Sequence, residues 1–387
     1  MRLDPRLLVL ASGMFVIGTD SFVIAGLLPQ IAKEFDISIA AAGQLITVYA
    51  LSYAVFTVPI ATLTSHLPPA RVLLAGIIIF LVGNLIVGFS LNFLTALFGR
   101  AVAGLGAAMF APLASATAVT LVTPDRRGRA LAFLMMGLST ATAFGAPIGT
   151  LIGTMTTWRT TLLLVATLAV FIVWGVYVQV RDIAPSVRIT LRERIGPIRD
   201  TQVLWTLVST FLVLAGLYVT YTYISVVFDR VTRNDGATLA VLLSVLGGAG
   251  TLGSLIAGRL TDRFGSRAVI DATLVIAAVN FLILPWTSAN LVGAIVALLV
   301  WGLCGWGFVI PQQHRLIGLA PQLSSILLAL YASAVYAGTS ASGIIGGIAL
   351  VLIDHNQLPM IGAGFIVCGL IAAEYGSLVI RNSTRGP

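Results

Sequence analysis

Apolar residues run through this chain in long blocks, separated by short polar clusters that are mostly basic. A helix that crosses the hydrocarbon core of a bilayer needs about 20 consecutive, mostly apolar residues. Twelve blocks meet that length: 7–31, 43–64, 71–90, 94–121, 129–154, 160–180, 201–228, 237–258, 267–286, 291–313, 323–350 and 359–380. An even number of spans puts both ends of the chain on one side. The pattern predicts an all-α membrane protein of twelve transmembrane helices.

Composition agrees. The chain is 58% hydrophobic and 9% charged, where a soluble domain carries about 25% charged residues. Lipid is the only solvent that suits so much apolar sequence. The net charge of +8 does not signal nucleic acid, because the basic residues are scattered between the apolar blocks. The two cysteines, Cys304 and Cys368, fall inside apolar blocks and read as small hydrophobes, with no disulfide or metal implied. Arg2 and Arg6 precede a first block too long for a cleaved signal, so it counts as span 1.

The basic residues also fix an expected orientation. With twelve spans, 17 of the 22 Lys and Arg fall on the side of the termini. Lys33, Arg159, Arg230 and Arg233 fall on the other side, and Arg100 within the membrane. This bias predicts that both termini are cytoplasmic. The long central loop, 181–200, holds Arg181, Arg188, Arg192, Arg194 and Arg199, bracketed by Pro185 and Pro197. Leu191, Ile195 and Ile198 share a helical face. A short basic amphipathic helix on the inner leaflet and a flexible linker are both open readings.

The two halves echo each other. Gly104 and Gly106 in span 4 match Gly305 and Gly307 in span 10 at an offset of 201, which also carries Gly137 to Gly338 and Gly145 to Gly346. That predicts two pseudo-symmetric six-helix bundles, 1–180 and 201–387, joined by the linker, with substrate between them. At this offset Arg100 meets Trp301, so the charge belongs to one half.

Between spans 8 and 9 the chain reads Gly258-Arg-Leu-Thr-Asp262-Arg263-Phe-Gly265-Ser-Arg267. Gly258 suits close helix approach, Asp262 can cap or pair with arginine, and Gly265 permits a tight turn. An ordinary basic loop is the plainer reading. This segment resembles the loop signature of the major facilitator superfamily. The copy between spans 2 and 3 is degraded, with Ser65 in the acidic position, so any charge relay falls to Asp262. Arg100 to Gly104 resembles the family's span 4 motif. Gly137, Gly145, Pro147, Gly149 and Gly153 resemble the span 5 motif of drug/proton antiporters, with Ala146 as a departure. The resemblance implies that this span packs on span 8 and seals the outer side; a generic small-residue packing face is the alternative. Thr19 to Ala32, Trp158-Arg159 and Arg315 to Ser333 resemble the bacterial exporters of arabinose and other sugars, purine ribonucleosides and chloramphenicol.

Two charges lie deep in the apolar blocks. Arg100, in span 4, costs about 2.5–3.5 kcal/mol at a helix centre and persists only facing protein or water. Asp20, midway along span 1, is the natural proton carrier; a polar residue bonded to a neighbouring helix is the other reading. Arg100 joins Asp20 as a candidate for proton coupling: it pairs with Asp20, orients a neighbouring acid, or only holds helix carbonyls together. Asp271 reads as an i,i+4 partner of Arg267, and Glu374 as a side chain reaching for the interface. Tyr49, Tyr53, Tyr218, Tyr221, Trp306, Gln312, Tyr331 and Tyr336 are the candidate cavity lining, with arenes and polar tips suited to sugars or amphiphilic drugs.

No Gly-rich, Lys-Ser/Thr phosphate loop is present, so transport is expected to run on an ion gradient without a cofactor. His66, His314 and His355 lie at span ends on opposite sides and form no metal site. The expectation is a monomeric proton-coupled antiporter exporting small organic molecules, with protons, substrate and lipid as partners. An importer is the nearest rival; a receptor or an intramembrane enzyme is more remote.

Overall fold

The computed structural model describes residues 4–123, 126–180 and 190–383. Arg2, Arg181, Pro185, Arg188 and Arg385, and with them half of the predicted linker, lie outside the described residues. Among the described residues, twelve helices are long and apolar enough to cross a membrane: Pro5–Phe35, Ile39–Leu63, Pro69–Gly88, Phe93–Thr120, Arg127–Met155, Trp158–Gln179, Thr201–Thr222, Gly236–Phe264, Ser266–Thr287, Leu291–Leu319, Pro321–Leu352 and His355–Leu378. They are spans 1 to 12 below.

Local chemistry sets where they begin. Asp4, Asn92, Thr157, Asp200, Asp235 and Asn290 each cap a span by accepting a backbone N–H of its first turn. Gly265, with φ of 81°, turns the chain between spans 8 and 9 in a conformation that L side chains avoid. Span 5 widens to a π-helical turn over Ala141–Gly145, just before Pro147. Proline supplies no N–H to the preceding turn and its ring crowds the carbonyl four residues back, and the wider turn absorbs both.

The predicted ends of spans 7, 8 and 10 differ most, and span 8 runs on from the predicted 258 to Phe264. Span 7 stops at Thr222, not at 228, and breaks into the single turns Ile224–Val227 and Asp229–Thr232, with Arg233 and Asn234 at positive φ. Span 10 runs on to Leu319 and carries Arg315 with it. There Arg315 Nη1 donates to the carbonyl of Ala373 at 3.0 Å, while its Nη2 is buried without a hydrogen-bond partner among the described residues. After residue 189 the chain forms a short helix, Leu191–Ile195, and a 3-10 turn, Gly196–Arg199, with Leu191 and Ile195 exposed beside Arg192.

The chain divides into two compact units, Met1–Leu191 and Arg192–Pro387. In the first, span 1 packs on spans 5 and 6, span 3 on spans 4 and 6, and span 2 on span 4. In the second, span 7 packs on spans 11 and 12. The span 5 glycines explain the first pairing. A Cβ on Gly137, Gly145, Gly149 or Gly153 would meet Ala11, Thr19, Val23 or Leu27, and each glycine lies 126 positions after the residue it meets. Two parallel helices thus lie in contact along four levels. Gly338 of span 11 meets Phe211 of span 7, 127 positions earlier, while Gly346 makes room for the ring of Tyr223 and touches the Val219 carbonyl only at 3.6 Å, so the second unit repeats the device in part.

The internal repeat has two registers, not one. The offset of 201 holds for spans 5 and 11 but not for spans 4 and 10. The N-caps Asn92 and Asn290 lie 198 apart. Gly104 abuts the carbonyl of Tyr49 in span 2, and Gly302, also 198 later, abuts that of Leu246 in span 8. In that register the counterpart of Arg100 is Leu298, not Trp301.

Candidate functional site

The first unit buries a complete ion pair. Arg100 Nη1 lies 2.8 Å from both carboxylate oxygens of Asp20, and neither side chain has exposed surface. Arg100 Nε donates to the main-chain oxygen of Leu45 at 3.3 Å. The guanidinium lies over the ring of Tyr49, 4.3 Å from its centroid. The Tyr49 hydroxyl is 3.0 Å from Ser21 Oγ, one residue beyond Asp20. Spans 1, 2 and 4 therefore meet at one charge. Arg100 Nη2 is buried and has no hydrogen-bond partner among the described residues.

Glycine makes this arrangement possible. A Cβ on Gly104 would stand 2.4 Å from the Tyr49 carbonyl oxygen, so only glycine lets span 4 approach span 2 closely enough to put Arg100 against Tyr49 and Leu45. Ser52 Oγ fastens the same crossing by donating to the carbonyl of Ala101 at 2.7 Å. Gly106 does the same work toward span 3, where a Cβ would meet the backbone of Phe80. The cation–π contact and the carbonyl share the cost of burying a charge that Arg cannot give up.

The predicted cavity residues separate into groups. Tyr49 is engaged with Arg100, and Tyr53 is buried in the same unit. In the second unit the ring centroids of Tyr218 and Tyr221 lie 5.6 Å apart, and Tyr221 continues edge-on to Trp301 at 6.5 Å. Tyr331 and Tyr336 lie on span 11, Tyr331 buried and Tyr336 half-buried. Trp306 lies over Gly250 of span 8. Gln312 is fully buried, and its Nε2 donates to Thr206 O at 2.9 Å and Thr210 Oγ1 at 3.1 Å, so it braces span 10 against span 7.

The loop motif divides as well. Gly265 makes the turn its sequence suggests. A methyl group added to Gly258 would find nothing within 4 Å, so this glycine serves no close approach among the described residues. Asp262 and Arg263 are exposed, and Asp262 forms no ion pair with a described residue. The acid that engages the motif is Glu374 of span 12. Arg267 holds both of its oxygens, with Nε at 2.9 Å from Oε1, and reaches Asp271 only at 3.8 Å. Glu374 is thus an interhelical partner, where the sequence suggested a side chain turned to the interface.

A second cluster escaped sequence reasoning. Glu34 at the end of span 1 accepts from Trp158 Nε1 and from Arg159 Nε at 2.9 Å. Arg159 also donates to the Gly88 carbonyl at 3.2 Å and stacks on Trp158 at 4.5 Å. The Trp158-Arg159 pair is therefore a clasp across spans 1, 3 and 6. An acid at the end of an apolar block was the available signal, but nothing in the sequence named its partner.

Twelve apolar helices, with a buried acid–arginine pair in the first unit, define a multi-pass integral membrane transporter. The chain belongs to the Major Facilitator Superfamily, whose family model matches residues 10–343. It is 29% identical over 371 residues to the inner membrane transport protein YdhP of Escherichia coli (strain K12), covering 96% of this chain and 95% of that one. It is 29% identical over 388 residues to the uncharacterized MFS-type transporter YtbD of Bacillus subtilis (strain 168), covering 98% and 97% of the two chains. Among solved structures, a bacterial homolog of the human lysosomal transporter Spinster shares the fold, with a TM-score of 0.73 at 17% identity over 97% of this chain and 96% of that one.

Proposed function

We propose that the chain is a proton-coupled antiporter of the drug/proton antiporter kind, exporting small organic molecules by alternating access. Its substrate range is that of the resembled exporters: sugars, nucleosides or drugs such as chloramphenicol. It sits in the inner membrane as a monomer with both termini in the cytoplasm, and it uses the proton gradient with no cofactor. The 17-to-4 division of basic residues supports the orientation.

The observation that carries the reading is the Asp20–Arg100 pair, with Nη1 at 2.8 Å from both carboxylate oxygens. While Asp20 is ionised, the pair ties span 1 to span 4 and neutralises a guanidinium held away from water. A proton on Asp20 removes the negative charge and leaves Arg100 with the Leu45 carbonyl and the Tyr49 ring. Burying Arg100 then costs more, and states in which water or a substrate group reaches its unpartnered Nη2 gain population. Proton release restores the pair. Arg100 keeps its charge throughout and makes the cost of the buried state depend on one proton.

The test is proton flux driven by substrate in reconstituted vesicles. Wild-type protein acidifies or alkalises the lumen according to the substrate gradient, and Asp20→Asn moves substrate without protons or not at all. Undiminished proton flux in Asp20→Asn overturns the assignment of Asp20. Extrusion against accumulation of the same substrate by expressing cells separates exporter from importer.

A further inference from the structure

We infer that His355 is a proton-binding site distinct from Asp20, and that its proton tightens a clasp between the chain beyond span 7 and the start of span 12. Only the placement of this clasp on the outer face rests on the orientation proposed above.

Two connections of the second unit build it. Span 7 stops at Thr222, and the chain goes on as the single turns Ile224–Val227 and Asp229–Thr232. Span 12 opens with a 3-10 turn, His355–Gln357, capped by Asp354. His355 Nε2 lies 2.9 Å from Asp229 Oδ2, and its Nδ1 lies 3.7 Å from Asp354 Oδ1. Asp229 Oδ1 is buried and has no hydrogen-bond partner among the described residues. The Asp229 carboxylate therefore depends on His355 for its one described bond.

Nε2 stands between an acceptor and a donor, since Asn356 Nδ2 lies 3.0 Å from it. A neutral imidazole carries one proton. With that proton on Nδ1, Nε2 accepts from Asn356 and Asp229 loses its donor. The cation carries a proton on both nitrogens. Nε2 then donates to Asp229, Nδ1 faces Asp354, and a neutral hydrogen bond becomes an ion pair. The side chains of His355 and Asp229 are 36% and 34% exposed, so bulk protons reach the ring. Histidine ordinarily changes charge between about pH 5 and 8.

The groups around the ring keep their charges in that range. The Asn356 backbone N–H and then its side chain donate to Asp354 and hold its carboxyl below the ordinary carboxylate value. Arg230, beside Asp229, is engaged elsewhere: its Nη2 donates to the Pro285 carbonyl and to Ser288 Oγ at 2.9 Å. Ile224–Val227 and the first turn of span 12, which pack on the 3-10 turn, carry no titratable side chain.

The first unit performs the same tasks with one permanent charge. Arg159, at the start of span 6, holds Glu34 at the end of span 1, with Nε 2.9 Å from Oε1. Its Nη1 also donates to the Gly88 carbonyl at 3.2 Å and to Ser90 Oγ at 3.4 Å, at the end of span 3. Ser90 and Ser288 stand 198 apart, the register of the Asn92 and Asn290 caps. The second unit divides the work. Arg230 closes the end of span 9, and the acid beyond span 7 is left to a histidine. A guanidinium keeps its charge throughout, whereas an imidazole does not. One clasp is constant, and the other is set by acidity.

The experiment is hydrogen exchange of the full chain, purified in detergent so that both faces meet one buffer. Exchange is read at about pH 5.5 and about pH 8, on either side of the ordinary histidine titration, and corrected for the intrinsic pH dependence of exchange. Wild type should protect 224–232 about two- to fivefold more at the acid pH, the worth of one partly exposed ion pair. Segments 33–36 and 157–160, the arginine clasp, should show equal protection at both. His355→Gln and Asp229→Asn should each flatten the response at 224–232, and His355→Lys should keep acid-level protection at both pH values. Equal wild-type protection at the two pH values overturns the proposal, as does a response that survives in His355→Gln. Asp20→Asn should keep the response; its loss there would move the titrating group to Asp20 and overturn the clasp. Proton flux in vesicles plays no part in this readout, so failure of the coupling reading and failure of the clasp are told apart.

Discussion

Arg100 and Asp20, 80 positions apart in the chain, bury every atom of both side chains against each other, with Nη1 2.8 Å from each carboxylate oxygen. The two partners are not equivalent when one is lost. A lone carboxyl can take up a proton and become neutral, whereas a guanidinium cannot lose one. Arg100→Leu should therefore be the milder change. Asp20→Leu strands a buried cation and should cost about 3–5 kcal/mol, the usual penalty for breaking a buried pair. Thermal unfolding in detergent should rank wild type above Arg100→Leu, and Arg100→Leu above Asp20→Leu. The reverse order of the two variants would mean that Arg100 finds other compensation.

Gly104 and Gly258 make a matched pair of glycine tests. A methyl group on Gly104 would press within 2.4 Å of the Tyr49 carbonyl oxygen, whereas one on Gly258 meets nothing within 4 Å. Gly104→Ala should lower stability by about 1–3 kcal/mol through overpacking and move Arg100 off the Tyr49 ring. Gly258→Ala should leave Tm level or raise it, since alanine is the better helix former by up to about 1 kcal/mol. Unfolding curves of the two variants check both statements.

Arg267 grips Glu374 with two nitrogens, while Asp262 has no ion-pair partner among the described residues. Both members of the Arg267–Glu374 pair are partly exposed, so Glu374→Gln should cost only about 0.2–1 kcal/mol. Asp262→Asn should cost nothing measurable. Exchanging the charges in Arg267→Glu with Glu374→Arg should recover most of the loss, and a double-mutant cycle in Tm reads the coupling directly.

Acid should act on the start of span 8. The Thr238 hydroxyl and then the Thr238 backbone N–H donate to Asp235 and hold its carboxyl below the ordinary carboxylate value. A depressed folded value gives a stabilising contribution that is complete at neutral pH, above the unfolded value of about 3.9, and is lost as pH falls through the folded value. Wild type should thus lose more Tm than Asp235→Asn when pH is lowered from about 5 to 3. Equal slopes would remove Asp235 from the acid response.

Span number and fold class were legible because a bilayer imposes length and apolarity on every block, and only one class of structure satisfies both. Asp20 and Arg100 stood out singly, since a charge in such a block is costly, but their pairing depended on a helix crossing that Gly104 permits and that no local pattern announces. Glycines were a poor guide by themselves among the 39 in the chain. The register of 198 between spans 4 and 10 came from the Asn92 and Asn290 caps and from carbonyl contacts of Gly104 and Gly302, both visible only in three dimensions. Glu374 was missed because its partner, Arg267, lies 107 positions earlier, while Asp271 offered a nearer match at i,i+4.

The most direct test of coupling through Asp20 is proton movement in vesicles reconstituted with wild type, Asp20→Asn and Asp20→Glu, driven by an outward gradient of chloramphenicol as probe. Coupling at this carboxyl requires counterflow of protons in wild type, its loss in Asp20→Asn, and partial recovery in Asp20→Glu, where the carboxyl returns at altered reach. Proton flux in Asp20→Asn equal to wild type would contradict it.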